Sequence, residues 1–484
     1  MHIDDLQKTF HGELLTDDTT LETYSHDASL FELRPQVVAR PHDSADIKTL
    51  VAWVAANKKT FPELSITPRS AGTDMSGGAI NDSIIVDMTA HFSAVTVHET
   101  TATVQPGAYF RDFDGKTLAK GLMLPSYPAS RDLCTVGGMI SNNSGGEKSL
   151  RYGKTDRYVT RLKVILADGK EYEVIPLDKA GLVRKMSQDN FEGEMYKRTF
   201  HLLETNYDEI KAAAPKVSKD STGYHLWNIW DRETGIFDLT KLFVGAQGTL
   251  GIITEADVSL VPRPKHSGVL VGYLKNIDQL GDIITTVLKH EPETFESFDD
   301  NTLWLSFKFF FSFIKKLGFV RWVKLALQLI PDGFMLIKGI PQLVLMVEFT
   351  GDSVEDVERK IDGMHAALQP FPFTYLEKDE TEAQAEKFWI MRRESFNLLR
   401  SKIKDKHTAP FIDDFIVPPA NLTSFLPKLR VIIKKYKLLA TIAGHMGDGN
   451  FHVIPLMKIE DPKERAKLQP AMREVNELVL THGG

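Results

Sequence analysis

Residues 68–79 read PRSAGTDMSGGA. The run before them, 64–67, has the apolar character of a strand, and SIIVDM at 83–88 has the β-branched content of another. A glycine-rich connection between two strands can bring bare backbone N–H groups up to an anion. Gly72, Gly77 and Gly78 permit backbone angles that a Cβ obstructs, and successive N–H groups then form an anion-binding concavity. Ser70, Thr73 and Ser76 add hydroxyl donors, and Arg69 adds positive charge. The set suits a pyrophosphate. It is not a P-loop, because no Gly-Lys-Ser/Thr closes it, nor a Rossmann fingerprint, because a strand and not a helix is expected next. Standing alone it would read first as an ordinary glycine-rich connection.

Two further segments share its composition. Residues 134–146, CTVGGMISNNSGG, and 245–254, GAQGTLGIIT, are rich in small residues, hydroxyls and amides. Small side chains let chain and ligand approach closely, and Thr135, Asn142 and Asn143 can hydrogen-bond a flat polar ring system. With three such loops in this order, the sequence from about Tyr24 onward resembles the PCMH-type FAD-binding domain of the vanillyl-alcohol oxidase family. Within that family it is similar to the FAD-linked D-lactate and D-2-hydroxyacid dehydrogenases. The resemblance implies that the first loop holds the FAD pyrophosphate, the second lies along the flavin and the third closes over it. The implied FAD contacts are Arg69, Ser70, Ala71, Gly72, Thr73, Asp74, Ser76 and Gly77, then Pro128, Thr135, Gly138, Asn142, Asn143 and Gly145, and finally Gly248, Gly251 and Ile253. Covalently flavinylated relatives carry a His in the first loop, where Thr73 or Asp74 stands here, so noncovalent FAD is expected.

A chain of 484 residues is too long for one core and predicts two or three domains. Its 42% hydrophobic and 25% charged content is that of a folded globular protein. Lys plus Arg number 58 against 65 Asp plus Glu, and the formal charge of -7 gives no global reason to expect nucleic acid as a partner. The single Cys134 excludes an internal disulfide and a cysteine-based metal cluster, which fits a reducing compartment, and it reads as a small residue in a tight turn. MHIDDLQKTF at the start has acidic residues and no apolar core of a secretory signal, so a cytoplasmic location is expected.

Along the chain, Ile47, Leu50, Val51 and Val54 form an apolar stripe at helical spacing, with Ser44 or Asp43 as cap. Asp168-Gly169 between apolar runs predicts a hairpin over 160–175. Residues 216–227 read as a loop that relatives place near the edge of the flavin domain. Residues 261–264, VPRP, read as a linker, dividing the chain at 1–265 and 266–484. Beyond it, predicted strands at 268–273 and 343–349 alternate with helices at 277–288 and 354–368. The expected fold class is α+β: a two-subdomain PCMH-type FAD-binding domain followed by a ferredoxin-like α+β cap, with an antiparallel sheet and helices on one face.

Residues 303–340 interrupt that cap with SFKFFFSFIKKLGFVRWVKLALQLI. Lys308, Lys315, Lys316, Arg321 and Lys324 break the apolar run too often for a spanning helix. A helix lying in an anionic membrane interface fits, and so does a core-facing helical pair whose lysines snorkel.

The chemistry of the cap is expected at its end. GHMGDGNFH at 444–452 sets two histidines within one glycine-rich turn between predicted strands at 439–443 and 451–455. Such a turn lets His445 and His452 converge on one ion, although histidine pairs are more often structural. The motif matches the metal-binding element of the resembling family, which implies a divalent cation such as Zn or Mn on His445 and His452. In that family a Glu from a later Ser-Gly-Glu-His segment completes the site, and the present sequence ends at Gly484, where such a segment would begin. FWIMRR at 388–393 resembles the family's Trp-x-x-Arg segment, which implies Arg392 as the grip on a substrate carboxylate. Some relatives carry a lysine where Ile412 stands, in a stretch read here as a strand over 411–417. The implied activity is oxidation of a small D-2-hydroxyacid, with His445, His452 and Arg392 in catalysis. Quinone is the implied acceptor if residues 303–340 dock on a membrane. An ether-lipid synthase of the alkylglycerone-phosphate type and a catalytically incomplete flavin-carrying subunit are the alternatives.

Overall fold

The computed structural model describes residues 4–300, 302, 341–379, 388–389 and 406–484. The chain divides into two compact units. The first is Met1–Gly146, Gly153–Pro215 and Asp220–Arg263, and the second is Glu147–Tyr152, Lys216–Lys219 and Pro264–Gly484. Residues 216–227, expected as one loop at the edge of the flavin domain, are therefore shared, the first four belonging to the second unit.

The first unit holds two sheets. Strands β1 (Glu13–Leu15), β2 (Val37–Arg40), β3 (Ile66–Arg69) and β4 (Ile84–Asp87) form one, in the order β1-β2-β4-β3, with β4 parallel to both neighbours. All four residues of β4 are buried, as an unbroken IIVD run in a parallel centre requires. The predicted helix is present as Ser44–Asn57, capped by Asp43, whose side chain accepts from the N–H groups of Ala45 and Asp46. Ile47 and Leu50 of that helix pack with Ile84 and Val86, and with Ile165 and Ile252 from the other sheet. That second sheet joins β5 (Val95–Val97), β6 (Thr101–Val104), β8 (Val159–Ile165), β9 (Glu171–Val174) and β10 (Ile252–Ser259) in the antiparallel order β5-β6-β10-β8-β9. Burial alternates residue by residue along β10, so one face is core and the other is wetter. The 261–264 segment is more than a linker: β11 (Val261–Pro262) pairs antiparallel with β7 (Leu122–Met123), and Arg263 N donates to Gly121 O at 2.9 Å.

The second unit is one antiparallel sheet of eight strands among the described residues. Its order is β15 (Phe373–Asp379), β12 (His266–Leu274), β14 (Leu343–Gly351), β13 (Thr294–Asp299), β18 (Leu439–His445), β19 (Asn450–Met457), β16 (His407–Thr408), with β17 (Phe415–Ile416) also paired to β19. The predicted helix spans Val354–Leu368 and buries Val357, Ile361, Met364 and Leu368, one stripe at helical spacing. Ser353 caps it by accepting from Asp356 N. The strand expected over 411–417 is confined to β17, because Asp414 takes φ 61° and breaks the extended chain before it. Among the described residues no helix is long and apolar enough to cross a membrane. Residues 303–340, the whole of the basic and aromatic segment, lie outside the described residues.

Central β13 is buried at all six positions although it reads TFESFD. Burial pushes the Asp299 carboxyl up to about 6, partly opposed by hydrogen bonds from Thr302 N at 2.9 Å and Thr302 Oγ1 at 2.7 Å. A carboxyl raised above its unfolded value of 3.8 binds its proton more tightly when folded. Its contribution to stability is therefore present below pH 4 and is lost as pH rises through 6. Asp299→Asn, which can still accept from Thr302, is expected to flatten this dependence and to stabilise the protein at pH 7 by on the order of 2 kcal/mol. Chemical denaturation at pH 4.5 and pH 7 measures it, and equal losses at both would show that the carboxyl ionises freely in the fold.

Candidate active site

The three glycine-rich segments meet in the first unit. Gly245 N donates to Ile140 O and Gln247 N to Ser141 O, both at 2.9 Å, which ties the third segment to the second. A Cβ on Gly248 would stand 2.6 Å from Pro68 Cγ, so the third segment also lies against the first. Ser70 of the first reaches the second, where a Cβ on Gly138 would meet its Cβ at 3.5 Å. Side-chain spacing along the chain cannot show this, since Ser70, Gly138 and Gly248 are far apart in sequence.

Within the first loop, Gly72 and Gly77 take φ 67° and 89°, left-handed angles of the kind that aim N–H groups at an anion. Asp74 folds the loop onto itself: its Oδ2 accepts from Gly78 N at 2.7 Å and Ser76 N at 3.0 Å, and Ser76 Oγ donates to it at 2.9 Å. Arg69 is buried, and its guanidinium donates to the carbonyls of His26 at 2.7 Å and of Tyr24 and Ala79 at 3.2 Å. Its expected role as a charge offered to an anion is thereby corrected: the guanidinium braces the loop backbone, and the Ser76 hydroxyl, also expected as an anion donor, is spent on Asp74. Burial also lowers the affinity of this guanidinium for its proton, opposed by Asp27, Tyr24 and Asp87.

In the second segment Thr135 accepts from Gly138 N at 3.2 Å and caps the short helix Val136–Ser141. Asn142 ends that helix and is exposed, while Asn143 takes φ 46° and is buried. Asn143 Oδ1 accepts from Asp156 N at 3.0 Å, and its Nδ2 is buried with no hydrogen-bond partner among the described residues. A buried amide without an acceptor costs free energy. A ring carbonyl of a flavin would supply that acceptor, so the residues present fit the group. Ala71, Thr73, Pro128, Gly145 and Ile253 are half-buried. Gly251 is required by packing, because a Cβ there would stand 2.5 Å from Val164 Cγ1. Cys134 is buried in its turn, and burial pushes its thiol up to about 11, which makes it inert.

The second unit assembles the histidines by register. Ala443 pairs with His452 across β18 and β19, and side chains alternate along a strand, so His445 and His452 share one face as diagonal neighbours. Their rings stand edge to face, 5.6 Å apart and 84° inclined. Ser297 and Phe298 pair with Gly444 and Ala443, which places Glu296 opposite His445 one step further on. Glu296 Oε1 lies 2.5 Å from His445 Nδ1, and Asp413 Oδ1 lies 2.9 Å from His452 Nδ1. Both carboxylates are buried, with side chains 0% and 3% exposed.

The turn between the strands is held rigidly. Asp448 accepts from Ser218 Oγ at 2.7 Å and pairs with Lys219 Nζ at 3.0 Å, and Asn450 Nδ2 donates to Asp414 Oδ1 at 2.8 Å and Phe415 O at 3.0 Å. Gly449 takes φ 74°, and a Cβ on it would lie 1.9 Å from Val417 O, so no other residue fits this turn. With Nδ1 of each ring engaged, a ligand role falls to Nε2. The ring spacing is compatible with two imidazoles on one ion, whose metal–nitrogen bonds are about 2 Å. The donor set therefore fits a divalent cation in chemistry. Among the described residues two other groups that could hold an ion, Glu13 with His42 and His91 and Glu22 with His26 and Glu32, are exposed, and arginines stand 3.5 and 3.4 Å from Glu13 and Glu22.

Residues 35–174 match the FAD binding domain family, and residues 263–484 match the C-terminal domain of FAD linked oxidases. The chain belongs to the FAD-linked oxidases. The D-2-hydroxyglutarate dehydrogenase of Pseudomonas putida is 28% identical to this FAD-linked oxidase over 98% of the chain and 46% of the relative. The chain thus spans about half the length of that protein. The glycolate oxidase subunit GlcD of Bacillus subtilis is 27% identical over 95% of the chain and 82% of that subunit. The structure of an alkyldihydroxyacetonephosphate synthase superposes with a TM-score of 0.69 at 16% identity, covering all of this chain and 80% of that one, a likeness of fold.

For this FAD-linked oxidase, sequence reasoning found the two histidines but missed their carboxylate partners. The signals were present: a Glu in the middle of the strand-like TFESFD, and an Asp beside the Ile412 already noted. Arg392 lies outside the described residues.

Proposed function

We propose that this FAD-linked oxidase oxidises a small D-2-hydroxyacid to the 2-oxoacid and passes the electrons to a quinone or another acceptor. The observation that carries the reading is the His445/His452 pair, two imidazoles on one sheet face with each Nδ1 held by a buried carboxylate. FAD, when bound, supplies the electron acceptor for the hydride equivalent leaving the carbinol carbon. Gly72, Gly77 and Ser70 would hold its pyrophosphate, and Thr135, Gly138, Asn143 and Gly248 its ring system. His445 and His452 would hold a Zn or Mn ion, which would lower the pKa of the substrate hydroxyl. Their Nε2 atoms are the positions that either hold such an ion or take the hydroxyl proton. Arg392 is assigned the substrate carboxylate, which a guanidinium grips with two parallel hydrogen bonds.

The test is reduction of an artificial dye by the purified protein with D-lactate, D-2-hydroxyglutarate and the L-enantiomers as substrates. Turnover of a D-acid above the L-acid supports the reading, and a protein that holds FAD yet turns over none of them overturns it in favour of an incomplete flavin-carrying subunit. The first loop has Thr73 and Asp74 where a covalent attachment would need histidine, so acid precipitation is expected to release all the flavin into the supernatant. A yellow pellet would contradict that.

The basic and aromatic composition of residues 303–340 supports docking on the inner face of an anionic membrane, where quinone is at hand. Each Lys or Arg at such a surface contributes about 1 kcal/mol. Sedimentation with vesicles containing phosphatidylserine is expected at low salt, to weaken as ionic strength rises, and to fall when Lys315 and Lys316 become Glu. Protein that stays in the supernatant at low salt would remove the argument for quinone.

A further inference from the structure

We propose that Glu296 and Asp413 are positioning residues, each holding one imidazole of the His445/His452 pair with hydrogen on Nδ1 and the lone pair on Nε2. The proposal deepens the reading above and rests on it. A neutral imidazole has one donor nitrogen and one acceptor nitrogen, and nothing in the ring alone fixes which is which. An ionised carboxylate only accepts, so the nitrogen facing it carries the hydrogen and the other presents its lone pair. Two rings fixed in this way present the same kind of nitrogen from one face of the sheet.

Packing alone does not account for the two carboxylates. Glu296 sits in the central strand β13 with a side chain 0% exposed, where an apolar residue would be buried at less cost. Asp413 lies in the irregular stretch before β17, and its Oδ1 meets His452 Nδ1 at 2.9 Å. Its Oδ2 is buried with no hydrogen-bond partner among the described residues. A carboxylate placed to tie down backbone accepts from N–H groups, as Asp74 Oδ2 does in the first loop. Asp413 instead spends its described hydrogen bond on the ring. The two holders come from different elements, so the two histidines are fixed independently although they flank one turn.

The experiment uses full-length, FAD-loaded protein labelled with 15N in histidine. Resonances of the two rings are assigned by their loss in His445→Asn and His452→Asn, and wild-type spectra are expected to show hydrogen on Nδ1 of both. Asp413→Asn is expected to release the His452 tautomer and Glu296→Gln that of His445, each without altering the other ring. Zn2+ binding followed by calorimetry is expected to weaken about 10–100-fold in each variant, and Asp413→Glu is expected to recover part of it. Flavin absorbance and melting temperature identify a variant that fails to fold, and the wild-type tautomers decide the matter by themselves in that case. Hydrogen on Nε2 of either ring in the wild type overturns the proposal, as does Zn2+ affinity within twofold of wild type in both variants. If the wild type binds no Zn2+ while both rings keep hydrogen on Nδ1 and the variants release it, positioning stands and the metal part of the functional reading fails.

Discussion

His445→Ala is expected to lower hydroxyacid-dependent dye reduction by about 10³-fold, the range that follows loss of a group placed for proton transfer. The flavin spectrum should be unchanged, because His445 belongs to the second unit and the three glycine-rich segments to the first. Removing the ring also leaves the fully buried Glu296 without its 2.5 Å partner, which costs stability as well. The melting temperature must therefore be measured alongside, and His445→Gln, which can still donate to Glu296, separates the two effects. Equal activity in a folded His445→Ala protein would remove the pair from the reaction and favour the incomplete-subunit alternative.

Gly248→Ala is expected to weaken FAD binding by roughly 10–100-fold. The backbone there has φ 76°, a region costing an L-residue about 1–2 kcal/mol, and the new Cβ would stand 2.6 Å from Pro68 Cγ. Relief requires the third segment to move off the first, opening the place where all three segments meet. Each 1.4 kcal/mol lost is a tenfold change in affinity. Titration of apoprotein with FAD, followed by quenching of flavin fluorescence, measures it. A Gly248→Ala protein that binds FAD as tightly as wild type would show that this junction does not form the cofactor site.

Much of the fold was legible because local physics sets it. The stripe Val357, Ile361, Met364 and Leu368 recurs at helical spacing, and the helix buries all four. Asp168-Gly169 turns a hairpin between β8 and β9, with Gly169 at φ 74°. The glycine-rich loop was legible as a connection between two strands, and only its company with two further segments of like composition pointed beyond that. Where the local signal conflicted with its surroundings the reading failed: FIDDFIV looks too regular to be broken by a left-handed Asp414, and TFESFD, the central strand, was not read at all.

By itself the sequence determined the strands, the capped helices, the glycine-rich loops and the presence of two histidines seven positions apart, because each depends on neighbours within a few residues. Tertiary structure alone decided what those pieces face. That Arg69 braces three carbonyls, that Asn143 Nδ2 is buried without an acceptor among the described residues, and that Glu296 stands opposite His445 are consequences of long-range pairing. The physical reason is that register is a property of two strands, and a shift of one residue would turn Glu296 to the other side of the sheet.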